Sequence, residues 1–178
     1  FRPVLQCRRA MGYVYAYAAH NFELFNLRSW MVAYFVFAGT LRPDNDWAVS
    51  ATAMATMVTL LGLPSSVIGN ELSTKFGRNR VIRIIMLASA GLSCIVGFMA
   101  GSVPMWVLGA AFVVYGITVT ADSASITSGV VAAAPKGYRG ATMAVHSCIG
   151  FTGAFLGPLV FGMVLDSGDG DVSSTLPW

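Results

Sequence analysis

Residues 47–100 read WAVSATAMATMVTLLGLPSSVIGNELSTKFGRNRVIRIIMLASAGLSCIVGFMA. Two long apolar blocks, about 47–73 and 81–100, flank one short basic turn, Lys75-Phe76-Gly77-Arg78-Asn79-Arg80. A helix needs about 20 residues, at about 1.5 Å each, to cross the roughly 30 Å of hydrocarbon in a bilayer. Both blocks are long enough. Their charges, Glu71 and Arg83, sit at the ends next to the turn. The pattern predicts two membrane-spanning helices joined on a basic side. Pro64 lies inside the first and predicts a kink, since its ring removes one backbone donor and frees a carbonyl that neighbouring helices must satisfy.

The same alternation continues outward in both directions. A helix is expected over about 11–40, closed by the polar turn Leu41-Arg42-Pro43-Asp44-Asn45-Asp46. After Gly101-Ser102-Val103-Pro104 another is expected over about 105–134, stopped by Pro135. A second basic turn, Lys136-Gly137-Tyr138-Arg139, precedes a fifth over about 140–165. Residues 1–10 read as the remnant of a cytoplasmic loop, and residues 166–178 as a truncated extracytoplasmic loop. The fold class is therefore all-α, a polytopic membrane helix bundle with about five transmembrane helices.

Composition agrees. Of 178 residues, 56% are hydrophobic and 11% charged, against about 25% charged in soluble domains. A water-facing surface cannot be built from so few charges. The net charge of +3 does not point to nucleic acid, because the charges are sorted by loop. Arg2, Arg8, Arg9, Lys75, Arg78, Arg80, Arg83, Lys136 and Arg139 fall on one face. Arg42, Asp44, Asp46, Asp166, Asp169 and Asp171 fall on the other. This is the positive-inside pattern, which places the basic face in the cytoplasm and the chain in a cell membrane as a multi-pass protein. The bilayer is the expected partner, and nucleic acid is not. Cys94 and Cys148, inside apolar runs, read as buried thiols.

Polar residues at membrane depth ask for a reason, since a charge at the bilayer centre costs about 3 kcal/mol on insertion scales. The first helix carries His20, Asn21, Glu23, Asn26 and Arg28 near its middle. His20 and Glu23, three apart, share a face. Arg28 is turned away from Glu23 and is expected to meet a partner on another helix. Asp122 lies in the polar stripe Thr118–Ser125 of the fourth helix. Two readings stand for this set: groups lining a water-filled substrate or proton pathway, or a buried network that holds the bundle together. His146 reads as a packing or hydrogen-bonding histidine. Gly153-xxx-Gly157 on the fifth helix, Ser65 with Gly69, and Ala88 to Gly91 read as close-packing surfaces. No metal-ligand cluster, phosphate-binding glycine loop or nucleophile elbow occurs, so no cofactor and no enzyme activity is expected.

The loop around Gly69, Leu72, Lys75, Gly77 and Arg78 resembles the signature loop of the major facilitator superfamily, G-x-L-a-D-R-x-G-R-R. Asn70 stands where the first glycine is expected, beside Gly69, and Thr74 replaces the acidic residue. Gly153, Gly157, Pro158 and Gly162 resemble the family's antiporter-type motif, G-x-x-x-G-P-x-x-G-G, with Phe161 in place of one glycine. The resemblance covers about residues 47–166 and implies helices seven to eleven of a twelve-helix transporter. It further implies a secondary transporter of a small solute, working by alternating access against another half of the same protein, with a midplane site lined by the first and fourth helices. His20, Glu23, Arg28 and Asp122 would form the substrate or proton pathway. Lys75, Gly77 and Arg78 would work at the cytoplasmic gate. The alternative is a receptor or assembly protein that uses the same bundle without transporting. A transporter half should carry a polar groove lined by those two helices, and a scaffold should be packed dry.

Overall fold

The computed structural model describes residues 1–42 and 47–167. The expected turn at 43–46 and the tail beyond Ser167 lie outside the described residues. Within them the chain is helical and forms α1 (Arg2–Gln6), α2 (Arg8–Thr40), α3 (Ala51–Phe76), α4 (Arg78–Gly97), α5 (Met105–Thr120), α6 (Ser123–Ala133) and α7 (Arg139–Ser167). Four helical stretches are long and apolar enough to cross a membrane: Ala51–Phe76, Arg78–Gly97, Met105–Ala133 and Arg139–Ser167. The remaining expected span, α2, has 33 residues, about 50 Å of helix. Its mid-helix polar residues set it apart from the other four.

Local chemistry sets the boundaries. Ser50 caps α3, its Oγ accepting from the Ala53 amide at 3.1 Å. Gly77 separates α3 from α4 at φ +94°, a backbone state that costs a side-chain-bearing residue dearly. That single residue lets two long helices reverse direction with no further loop. Helix also enters the segment expected as loop. Val4 on α1 is fully buried against Met11, Val14, Val130 and Val145, and this apolar contact draws residues 2–6 onto the bundle.

The fourth span is one stretch interrupted near its middle. Thr118 and Thr120 turn their hydroxyls back onto the carbonyls of Val114 and Gly116, at 2.7 and 2.6 Å, a bonding mode that bends helices. The Ala121 amide drops to Thr118 O. The Ala124 amide, left without an intrahelical partner, donates instead to Ser66 Oγ of α3 at 3.2 Å. This span is also the most enclosed: half of its apolar window is buried, against 22% in each of the other three.

Cross-helix bonds fix which ends lie together. Tyr13 Oη donates to Asn79 Oδ1 at 2.5 Å, and Cys7 Sγ lies 3.5 Å from Ala133 O. The starts of α2 and α4 and the end of α6 therefore share one end of the bundle, the basic one. At the other end Arg42 donates to Gly101 O at 3.0 and 3.2 Å. Tyr34 Oη donates to Val96 O at 2.6 Å and accepts from the Ala100 amide. Cys94 and Cys148 are exposed rather than buried. Around a membrane bundle the outward face is itself apolar, so apolar neighbours in sequence do not mark the interior.

Helix α2 packs on α7 across glycines. A methyl added at Gly153 would collide with the Ala18 carbonyl, one at Gly157 with the Phe22 carbonyl, and one at Gly150 with the Tyr17 ring. Gly69 faces the Ala121 carbonyl in the same way. Gly91 faces open space, and of residues 88–91 only Ser89 is buried against the bundle. Gly153→Ala should therefore destabilise by about 1–3 kcal/mol, read as a lowered Tm in detergent, while Gly91→Ala leaves Tm unchanged.

Candidate functional site

Two apolar clusters bracket a polar layer. One, with Val4, Val14 and Val130, fills the basic end. The other, with Met31, Phe35, Met54, Leu108 and Phe112, fills the opposite end. Between them α2 presents His20 and Asn21, both buried. His20 Nδ1 meets Asp122 Oδ1 at 2.8 Å, and each side chain is only 2% exposed. Among the described residues this is the one close approach of a basic side chain to a carboxylate. The approach falls short of hydrogen-bond alignment, so the attraction is one of charge or of a poorly directed proton.

The interruption of the fourth span puts Asp122 there. Asp122 occupies the capping position of α6, yet its side chain does not cap that helix. Ser66 does so from α3, and the carboxylate is free to turn to α2. A seam of hydroxyls fixes the break against α3. Ser65 and Thr120 share a hydrogen bond at 2.8 Å, and Ser125 Oγ donates to Ser73 Oγ at 2.8 Å and lies 3.2 Å from Gly69 O. Residues 65, 69 and 73 follow a four-residue spacing, one helix face. That spacing was present in the sequence as a signal for the docking of α3 on the fourth span.

Aromatic rings continue the layer toward α7. Tyr17 stacks on His146 with centroids 4.0 Å apart and on His20 at 5.9 Å. The rings run from Asp122 through His20 and Tyr17 to His146, across three helices. Asn21 Nδ2 donates to Gly150 O at 3.1 Å beside them. Sequence reasoning singled out His20, Asp122 and His146 but missed Tyr17, because one tyrosine in an apolar helix carries no distinguishing pattern.

Glu23 takes a separate direction. Ser89 Oγ of α4 donates to Glu23 Oε2 at 2.9 Å, and the Tyr115 hydroxyl of α5 neighbours the same carboxyl group. His20 and Asp122 lie within electrostatic reach of it. Glu23 Oε1, Asn26 Oδ1 and His20 Nε2 are buried without a protein partner. Orphaned buried polar atoms are costly, and buried polar groups are ordinarily hydrogen-bonded.

Arg28 does not join this group. It is exposed, with its guanidinium 5.8 Å from the Phe25 ring on its own helix. The remaining residues read from sequence divide by location. Gly69 is buried at the helix break. Leu72 and Lys75 are exposed at the basic end, and Arg78 is half-buried with Nε unpartnered. Gly153 and Gly157 face α2 backbone and Gly162 faces Trp30. Trp30 Nε1 donates to Pro158 O at 3.1 Å. Of the polar side chains that sequence reading grouped by depth, His20, Asn21 and Asp122 thus sit in one layer, but as contacts between helices rather than as the lining of an open groove. Among the described residues no group of three or more His, Cys, Asp and Glu is placed to hold a metal ion.

A double-mutant cycle on His20→Ala and Asp122→Ala should give a coupling of at least about 1 kcal/mol in thermal unfolding, since removing one partner strands the other in a dry layer. Additive effects would show the two side chains to be independent. Ser89→Ala, which removes a donor to Glu23, should cost about 1 kcal/mol, within the range measured between membrane helices.

The family model of the Major Facilitator Superfamily matches residues 22–175 of the chain. No curated protein matches the sequence, and no solved structure matches it.

Proposed function

Since the chain belongs to the Major Facilitator Superfamily, a family of membrane transporters, we propose that it is part of a secondary active transporter that moves a small solute by alternating access. Another half of the same protein would complete the solute path. The family match over residues 22–175 is the observation that carries this reading. The contact of His20 with Asp122 joins α2 to the interrupted fourth span, the two elements between which such a transporter places its midplane site, here as a closed contact rather than an open groove. An interrupted span with an ionisable group at its break is a device that membrane transporters use for binding and coupling.

On this reading Asp122 or Glu23 carries a coupling proton, and His20 compensates the charge of Asp122 while it is ionised. The unpartnered His20 Nε2, Glu23 Oε1 and Asn26 Oδ1 are where the solute or its water would be received. Arg28, exposed on α2, would draw an anionic group or neutralise an acid once the other half is in place. Lys75 in the last turn of α3, Gly77 between the helices and Arg78 at the start of α4 would act at the cytoplasmic gate, in the plasma membrane of the cell.

A second reading is favoured by the burial of His20 and Asp122 at 2% exposure. They would then be a structural tie between two helices, with transport running elsewhere in the bundle. The two are separated by uptake into proteoliposomes made with the full-length protein, under an imposed pH gradient and over a panel of small solutes. Asp122→Asn and Glu23→Gln should each lower uptake at least about tenfold while the protein remains folded. Normal uptake by both variants would leave only the structural tie.

A further inference from the structure

At the basic end a cleft of about 520 Å³ opens between the first turns of α2 and α4. We propose that it holds the phosphate of an anionic phospholipid. Arg8 and Arg9 reach it from α2, and Arg83 from α4. No carboxylate lines it, and none of the three arginines forms an ion pair among the described residues. Three guanidiniums brought to one cavity from two helices repel one another, and a ligand phosphate would relieve that repulsion. Guanidinium matches phosphate oxygens in bidentate fashion.

The walls are held in place. Arg83 Nε donates to Asn79 O at 3.1 Å, and Tyr13 Oη donates to Asn79 Oδ1 across the cleft at 2.5 Å. The first of these bonds uses one nitrogen of Arg83 and leaves its terminal nitrogens for a ligand. Below the arginines the lining turns apolar, through Gly12, Ala16 and Ile82. A side chain added at Gly12 would meet nothing within 4 Å, so the space there is open.

Topology alone needs positive charge in the loops, not its convergence on a cavity. Headgroup phosphates of anionic lipids lie at the level of a span's first turns and attract nearby Lys and Arg side chains. The apolar lower wall selects a lipid over a soluble anion. It accepts the glycerol and the start of an acyl chain, for which inorganic phosphate has no counterpart.

The test is native mass spectrometry of the purified full-length protein with phosphatidylglycerol or phosphatidylcholine added, and with inorganic phosphate as competitor. Wild type should retain phosphatidylglycerol at least about tenfold more than phosphatidylcholine, and millimolar phosphate should not displace it. Arg8→Ala/Arg9→Ala/Arg83→Ala should lose that preference, and Arg80→Ala, outside the cleft lining, should keep it. Gly12→Trp fills the cleft while keeping every arginine, and it should also lose the lipid; it serves if the triple variant does not fold. Equal retention of the two lipids, retention by Gly12→Trp, or displacement by inorganic phosphate would each overturn the proposal.

Discussion

Hydrocarbon offers no partner to a polar atom, and that constraint organises this bundle. Every backbone group must be satisfied within its own helix or by a neighbour. The one interrupted span obeys the rule closely. Where α5 stops and α6 begins, the stranded Ala124 amide goes to Ser66, and Ser125 bonds to Gly69 and Ser73 on the same helix. Side chains obey it too. His20 and Asp122, each too costly to leave alone, meet at 2.8 Å. Once α2, α3 and the fourth span are tied in this way, the remaining helices have few placements left.

Close packing supplies the rest. Without a hydrophobic effect between helices in lipid, association rests on van der Waals contact and hydrogen bonds, both of which need close backbones. Gly150, Gly153 and Gly157 bring α7 against Tyr17, Ala18 and Phe22 of α2. That contact surrounds His20, so the packing motif and the polar layer are one construction. The same glycines that close the interface hold the Tyr17 ring between His20 and His146. A change in how α7 sits on α2 would therefore reach Asp122 through two rings.

Much of this was legible from the sequence, for physical reasons. Span length, breaker residues and loop charge are imposed by the bilayer residue by residue, and they made the all-α helix-bundle class legible. Depth singled out His20, Glu23 and Asp122 because charge in hydrocarbon is rare. What stayed hidden was partnership. That His20 turns to Asp122 while Glu23, one turn on, turns to Ser89 depends on helix rotation, which apolar periodicity fixes poorly when both faces of a helix are apolar. The break at 120–122 was hidden for a similar reason. Thr118 and Thr120 suit a helix face as well as a bend, and only the serines of α3 decide between them. Arg28 illustrates the converse: its residue type asked for a partner, but its position on α2 leaves it outside.

The polar layer lies inside the membrane only if the spans cross the bilayer alternately and bring the cationic turns at 75–80 and 136–139 to one side. Lys75→Cys and Lys136→Cys, each introduced singly into the full-length protein with native cysteines replaced, test it most directly. A membrane-impermeant maleimide is applied to intact cells and to inverted vesicles. Both cysteines should react only in inverted vesicles, and Ser102→Cys only in intact cells. Labelling of Lys75→Cys and Lys136→Cys from opposite sides would contradict the topology, and with it the polar layer as a feature of the membrane interior.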